Sequence, residues 1–359
     1  MFAGKTKKIL AVGRVLKTEE WVALAVCGGA LLANILLYAH GVSLKDALFW
    51  MLYYFTFGDP FYALFFIFVY FFFLGEFYLL LSSLVTARVL GKKPFPSGSA
   101  KRLGRLFLRP LRFIAPLAFT GLFFPLLLSN TDYALRLASN DTLFFHLDRL
   151  LLGNSPFFSL PALFPQHIFI SIFQYAYFSL SFVMSGMLAI LFLVSRENLF
   201  RKAIVSLLLS LAIAFPFFYA LPCQDPSHYF LENMRGNAFP KDVEQLRSAY
   251  RPSSDALALI KRIDESETDK ERDNAVPVSC FPSMHAVWSF FVVFFLARVR
   301  KWSLALTLPW VTLVLTGGLY VAQHYAVDYV VALPVAAASI WLAGLLLRKE
   351  STSYGIAKR

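Results

Sequence analysis

The chain has 359 residues, of which 58% are hydrophobic and 16% are charged, and its mean hydropathy is +0.61. A soluble domain carries about 25% charged residues, so this composition excludes an ordinary soluble protein and indicates a chain that uses lipid as its solvent. Three cysteines exclude a disulfide-built scaffold and a Cys-rich metal site. The net charge of +12 fits basic cytoplasmic loops better than a nucleic-acid partner.

Long apolar runs predict an all-α fold, a polytopic membrane helical bundle with about eight transmembrane helices. Each run has close to the ~20 residues that a bilayer requires. In chain order the predicted spans are Trp21–His40, Pro60–Val85, Leu108–Leu128, Ile168–Val194, Ile204–Leu221, Ser283–Ala297, Trp302–Val321 and Val327–Leu347. We expect residues 1–103 to form an N-terminal membrane region with two spans, 104–347 a catalytic six-helix domain, and 348–359 a cytoplasmic tail.

The basic residues orient these spans. Most of the 34 lysines and arginines precede the first span, follow the last, or lie in the loops after the second, fourth and sixth spans. The positive-inside rule places those loops and both termini in the cytoplasm. The opposite side then receives two long segments, 129–166 and 222–281. The first contains an amphipathic stretch, Leu143–Leu151, which we expect to lie on the membrane surface.

Two polar segments open onto the non-cytoplasmic side. Cys280–Ala286, at the start of the sixth span, contains His285. Tyr320–Asp328, between the seventh and eighth spans, contains His324. Successive spans alternate in direction, so the start of the sixth and the end of the seventh share one side. The topology therefore predicts that the two histidines and Asp328 lie at the same depth.

These residue types suit phosphoryl transfer. His324 and Asp328 are four residues apart and share a face on a helical turn. An aspartate that accepts the Nδ1 proton of a histidine makes Nε2 the nucleophilic nitrogen, and a second histidine, here His285, can protonate a leaving oxygen. Pro282 and Ser283 open a helix, whose first N–H groups offer a phosphate site. Together these groups meet the requirements of covalent phosphoryl transfer.

Two other interpretations stay open from the residues alone. His285, His324 and Asp328, with His228, could hold a metal ion, although no HxH or HExxH spacing is present. Glu76, an acid within the second predicted span, could belong to a proton-coupled transporter. The sequence alone indicates no second buried acid and no pair of broken helices to accompany it.

The segment Phe281–Ala286 resembles the second motif of the type 2 phosphatidic acid phosphatase (PAP2) superfamily. The spacing of His324 and Asp328 resembles the end of its third motif. Within the superfamily the chain is most similar to the branch that contains inositol phosphorylceramide synthases. This closer resemblance rests on Thr316, Tyr320, His324-Tyr325 and the segment Leu147–Pro156.

The resemblance implies that His324 is the nucleophile that forms a phosphohistidine, that Asp328 is its partner, and that His285 acts as acid and then as base. It implies no metal and no other cofactor. The implied substrate is a phospholipid or sphingolipid within the membrane. The implied activity is transfer of a phospho-headgroup resembling inositol phosphate between lipids. A lipid or polyprenyl phosphate phosphatase, in which water replaces the acceptor alcohol, is the alternative at the same site.

The chain also departs from the superfamily pattern. The third motif of the superfamily opens with a Ser-Arg pair, where this chain has Thr316 and Gly317. The first motif, Lys-x6-Arg-Pro, is not found, because Arg102-x6-Arg109-Pro110 falls in a predicted cytoplasmic loop. The candidate phosphate-binding residues are Ser283, Met284, Tyr320, Gln323 and Arg235.

Cys223 and Cys280 end the fifth span and begin the sixth, on the predicted non-cytoplasmic side. Disulfides persist in such compartments. The sequence therefore leaves two alternatives open, a disulfide between these cysteines or a pair of free thiols.

Overall fold

The computed structural model describes residues 16–38, 139–194, 197–231 and 279–356, with isolated helical positions between 81 and 131 and at 241, 244 and 245. Regular structure in these residues is entirely helical, which confirms the all-α class within the described part of the chain. The predicted spans Pro60–Val85 and Leu108–Leu128 lie largely outside it. The α-helices are α1 Thr18–Tyr38, α2 Asp141–Leu152, α3 Pro156–Leu163, α4 His167–Phe178, α5 Leu180–Leu193, α6 Glu197–Ala220, α7 Pro226–Leu231, α8 Met284–Val299, α9 Leu304–Tyr320 and α10 Ala326–Ile356.

Among the described residues, three stretches are long and apolar enough to cross a membrane: Glu197–Ala220, Lys301–Tyr320 and Ala326–Glu350. The bent pair α4 and α5 adds a fourth if it is one span. The apolar helix α8 is shorter, with 16 residues. The described residues therefore form a membrane protein with three or four candidate spans, and the number eight stays a prediction.

The predicted span Ile168–Val194 is broken at Ser179, where α4 and α5 meet at an angle of 43°. The Ser179 hydroxyl donates to the carbonyl oxygen of Ala176 at 2.6 Å and accepts from the indole Nε1 of Trp310 at 2.9 Å. A serine side chain that bonds to nearby backbone competes with the helical ladder and bends helices. The bend thus divides the predicted span into two helices, α4 and α5.

Helix α8 lies at the centre and packs against α5, α6, α9 and α10. Its side chains Phe291, Val292 and Phe295 are completely buried, as are Ala286 and Val287 near its start. A helix that is apolar on all sides is stable when other helices surround it. This packing holds the first turn of α8, which carries His285, in a fixed position.

A network of charged side chains ties the opposite end of the bundle together. Arg201 Nη2 lies 2.8 Å from Glu19 Oε2 and 2.6 Å from Glu350 Oε2, and Thr18 Oγ1 donates to Glu350 at 2.7 Å. Glu19 is completely buried, which is tolerated because its charge is paired. The network joins α1, α6 and α10, and α10 continues past it to Ile356.

Candidate active site

The structure brings the two predicted histidine segments together. His285 lies in the first turn of α8, His324 in the turn between α9 and α10, and Asp328 in the first turn of α10. The rings of the two histidines are 5.6 Å apart between centroids, and His324 Nδ1 is 3.3 Å from Asp328 Oδ2. The geometry matches the predicted pairing of a histidine with an orienting carboxylate.

Ser283 is the N-cap of α8. Its completely buried hydroxyl accepts a hydrogen bond from the Ala286 amide at 3.2 Å. A serine at this position satisfies one of the four N–H groups that lack a partner within the helix. The start of α8 is thus fixed immediately before His285, and its remaining first-turn amides suit an anion.

The turn that carries His324 is held by backbone hydrogen bonds, one from α9 and one from α7. The Gln323 amide donates to the carbonyl oxygen of Gly318 at 2.9 Å, and the Ser227 amide donates to that of Ala322 at 3.0 Å. Ala322 has a φ of 61°, a left-handed conformation that is unfavourable for a residue with a side chain. Such strain persists where the surrounding contacts enforce it, often at functional sites.

The Asp328 carboxylate has a second hydrogen-bond partner besides His324. Its Oδ2 also accepts the Tyr325 amide at 3.0 Å, which fixes the carboxylate relative to the turn. His324 itself is 7% exposed. Burial lowers the pKa of the His324 imidazole to about 4, although the charge of Asp225 acts against this shift. The ring is therefore neutral at pH 7, the form in which Nε2 has a free lone pair.

Two buried aspartates of α2 hold the same turn, and the sequence interpretation missed both. The carboxylate oxygens of Asp148 accept the Ala326 and Val327 amides, each at 3.0 Å, and Asp141 accepts the Tyr325 hydroxyl at 3.2 Å. Burial raises the pKa of Asp141 to about 7 and that of Asp148 to about 6. The two acids are seven residues apart, which is two helical turns. This spacing is the sequence signal that could have predicted both on one face of a helix.

One face of helix α2 is buried in the protein. It buries Phe144 and Phe145 together with the two acids, while Leu150 is 81% exposed. The buried face packs against α10. The amphipathic prediction for Leu143–Leu151 identified a helix but not the polar contacts on its buried face.

Tyr177, near the end of α4, is a further residue that no motif indicated. Its hydroxyl oxygen is 3.3 Å from His285 Nδ1 and 3.3 Å from His324 Nε2. Its ring stacks on the imidazole of His285, with centroids 4.4 Å apart. An aromatic hydroxyl thus stands between the two histidines.

The predicted phosphate-binding residues differ in where they lie. The hydroxyl of Tyr320 donates to the carbonyl oxygen of Phe164 at 3.0 Å, and the side chain of Met284 is buried in the apolar core. Gln323 is partly buried in the turn beside His324. Arg235 lies outside the described residues. Met284 and Ser283 both lie at the start of the His285 helix, and Ser283 is the member of this set whose side chain caps it.

Cys223 and Cys280 are neighbours. The Cys280 amide donates to the carbonyl oxygen of Cys223 at 3.0 Å, and the two sulfur atoms are 3.2 Å apart. Both are free thiols in the structure, and the disulfide between them stays a prediction. Cys280 Sγ also lies 3.6 Å from Asp328 Oδ2.

These two thiols and Asp328 form a group whose ligand atoms lie within 4.8 Å of one another, close enough to hold a metal ion. It differs from the predicted set of His285, His324, Asp328 and His228, and the side chain of His228 is outside the described residues. Metal-bound cysteines are thiolates. Burial raises the pKa of Cys223 to about 12 and that of Cys280 well above its ordinary value, so a metal ion would have to displace two protons.

Comparison with known proteins supplies the family. The family profile of the PAP2 superfamily matches residues 142–342, which contain the start of α8, the α9–α10 turn and the first turn of α10. No curated protein matches the chain, and no solved structure matches it. Members of the superfamily are generally phosphatases or phosphotransferases, and a lipid substrate within a membrane is expected of them. Since the match covers more than half of its 359 residues, the chain belongs to the PAP2 superfamily.

Proposed function

We propose that the protein is a membrane-embedded lipid phosphotransferase that moves a phospho-headgroup between lipids through a phosphohistidine on His324. The observation that carries this proposal is the contact between His324 Nδ1 and Asp328 Oδ2 at 3.3 Å. The carboxylate accepts a hydrogen bond from Nδ1–H, so the proton stays on Nδ1 and Nε2 is the nucleophilic nitrogen. That nitrogen lies on the side of the ring that the His285 segment approaches, since Tyr177 contacts both.

The first half-reaction forms the covalent intermediate. His324 Nε2 attacks the phosphorus atom of the donor lipid, the N–P bond forms, and the P–O bond to the leaving alcohol breaks. Protonated His285 gives its proton to that oxygen. Proton donation by a positioned side chain contributes about 10²–10⁴-fold to such a step.

The second half-reaction returns the enzyme to its starting state. Neutral His285 takes the proton of the acceptor hydroxyl, whose oxygen attacks the phosphohistidine, and the N–P bond breaks. A lipid alcohol as acceptor gives a new phospholipid or sphingolipid. Water as acceptor gives the phosphatase activity that is also found in the superfamily.

The similarity to inositol phosphorylceramide synthases supports the transferase form and an inositol-phosphate-like headgroup. One segment behind that similarity, Leu147–Pro156, includes Asp148, whose carboxylate holds the first amides of α10. We place the active site on the non-cytoplasmic face, with both termini in the cytoplasm, because basic residues cluster at the other end of the bundle.

The test is an assay of the purified protein with a panel of labelled phospholipids, with and without a lipid alcohol as acceptor. Labelled product lipid identifies a phosphotransferase, and free phosphate or free phospho-headgroup alone identifies the phosphatase alternative. His324→Ala should abolish both products, whereas His146→Ala, which changes an exposed histidine of α2, should leave the rate unchanged. Full activity in His324→Ala would contradict the proposal, and no product at all would favour the transporter interpretation.

A further inference from the structure

The hydroxyl of Tyr177 occupies the space between the proposed nucleophile and the proposed acid. It lies 3.3 Å from the reacting nitrogen of His324 and 3.3 Å from Nδ1 of His285. The side chain is 4% exposed, and its ring stacks on His285 with 20° between the planes. A phosphoryl group that reaches His324 Nε2 must therefore come into contact with this hydroxyl.

The direction of each hydrogen bond follows from Asp328. Its carboxylate accepts a hydrogen bond from Nδ1–H of His324, so Nε2 of that ring has a lone pair and the Tyr177 hydroxyl must donate to it. The phenol oxygen can then accept the Nδ1 proton of His285. This leaves Nε2 of His285 available for the leaving oxygen.

The packing of α4 fixes the position of this hydroxyl. Trp310 holds the bend at Ser179, two residues after Tyr177. On the other side, a Cβ added at Gly318 would lie 3.0 Å from Cε2 of Tyr177. The ring is thus confined between α9 and the imidazole of His285.

We infer that Tyr177 is a third catalytic side chain, whose hydroxyl donates a hydrogen bond to a non-bridging oxygen of the phosphoryl group as it is transferred to His324. The inference rests on the proposed function. When Nε2 bonds to phosphorus it can no longer accept a hydrogen bond, so the Tyr177 donor turns to the nearest phosphoryl oxygen. No proton leaves Tyr177: the N–P bond forms, the P–O bond to the alcohol breaks, and His285 supplies the proton of that alcohol.

The expected effect is large because the donor acts on charge in a buried site. Loss of one donor of this kind lowers kcat by about 10²–10³-fold. The two distances of 3.3 Å are long for hydrogen bonds, and catalytic hydrogen bonds often shorten only when substrate is bound.

The experiment compares Tyr177→Phe with Tyr175→Phe across a series of lipid phosphates that differ in leaving-group pKa. Tyr175 lies on the same helix and is 76% exposed, so its hydroxyl is a matched control. We expect a fall in kcat of at least about 10²-fold for Tyr177→Phe and none for Tyr175→Phe. The Tyr177→Phe deficit should stay constant along the series, because the hydroxyl contacts the transferred group and not the leaving oxygen.

Three results overturn the inference. An unchanged or faster Tyr177→Phe enzyme means that the hydroxyl only covers the nucleophile in the free protein. A deficit that shrinks with better leaving groups means that Tyr177 acts through His285. If Tyr177→Phe does not fold, 3-fluorotyrosine at position 177 provides a more acidic donor, and a rate identical to that of the unmodified enzyme is the third contrary result. A normal rate in His324→Ala would instead contradict the proposed function itself.

Discussion

His285 and His324 are the same residue type but are expected to fail in different ways when they are replaced. His285→Ala removes the proton donor for the leaving group and leaves the nucleophile in place. We therefore expect a loss of about 10²–10⁴-fold with natural lipids and a smaller loss with substrates of low leaving-group pKa. Steady-state rates along a leaving-group series measure this, and a deficit that stays constant would show that His285 has another role.

The contrast between predicted and missed residues has a physical reason. The proximity of His285, His324 and Asp328 could be predicted because residue type, four-residue spacing and alternating span direction place them at one depth. Tyr177 was not found, since an aromatic residue in an apolar run has no spacing that separates a catalytic from a packing role. Its contacts join positions 108 and 147 residues apart, and only the packed helices show them.

In helix α2, the protonation of the buried Asp141 side chain affects the free energy of unfolding. Burial raises the pKa of Asp141 to about 7, while hydrogen bonds from Ser139 and Tyr325 act against the shift, and the ordinary value is 3.8. Between these two values the folded protein binds a proton that the unfolded chain has lost. The free energy of unfolding should therefore fall as pH rises from about 4 to about 7.

The variant Asp141→Asn isolates this effect. Thermal unfolding of the purified protein in detergent, from pH 4.5 to pH 7.5, should show a shallower decline for the variant, with a difference of at most about 4 kcal/mol across the range. Asp148, whose pKa burial raises to about 6, remains in both proteins, so the difference reports on Asp141. An equally steep decline in both proteins would assign the pH dependence to other groups.

Gly317 explains how closely α4 packs against α9. A Cβ at this position would lie 2.4 Å from the carbonyl oxygen of Phe173, a backbone atom that cannot move aside without shifting α4. Gly317→Ala should therefore destabilise the protein by about 1–3 kcal/mol and reduce activity, because α4 carries Tyr177. Gly186→Ala on α5 is the control, since a Cβ there meets nothing within 4 Å. Thermal unfolding and kcat measure both effects, and a Gly317→Ala protein indistinguishable from wild type would contradict this packing.

The elements themselves were predicted unevenly. The apolar run Trp21–His40 identified α1 to within three residues at each end, and Ile204–Leu221 identified α6 except for its first seven residues, because long apolar runs favour helices. The break at Ser179 was not predicted, since it depends on the indole of Trp310 and on no proline or glycine. The Thr316-Gly317 departure from the superfamily motif was visible in the sequence, but its packing role depends on α4.

At the scale of the whole molecule, the two ends of the bundle differ in chemistry. The histidines, Asp328 and the buried acids of α2 lie at one end, and Arg201, Lys202 and Arg348 line a cavity of about 380 Å³ at the other. The positive-inside rule predicts that the basic end lies in the cytoplasm. The proposed active site then faces the opposite compartment.

Labelling from one side of the membrane tests this orientation. Lys301→Cys, before α9, and Asn154→Cys, between α2 and α3, place single exposed thiols at the two ends. A membrane-impermeant maleimide added to intact cells should label Asn154→Cys alone, and lysis should expose Lys301→Cys. The unsubstituted chain serves as the blank for its three native cysteines. Labelling of both positions in intact cells would contradict the orientation.

The proposed mechanism depends on a covalent intermediate on His324, and its presence can be tested by mapping the phosphorylated residue. The purified protein is mixed with a labelled phospholipid without acceptor alcohol, quenched in alkali and analysed by mass spectrometry of its peptides. We expect an acid-labile, alkali-stable phospho-adduct on His324, formed no more slowly than turnover and missing from His324→Ala. Turnover that proceeds with no adduct, or an adduct on His285 in its place, would contradict the mechanism.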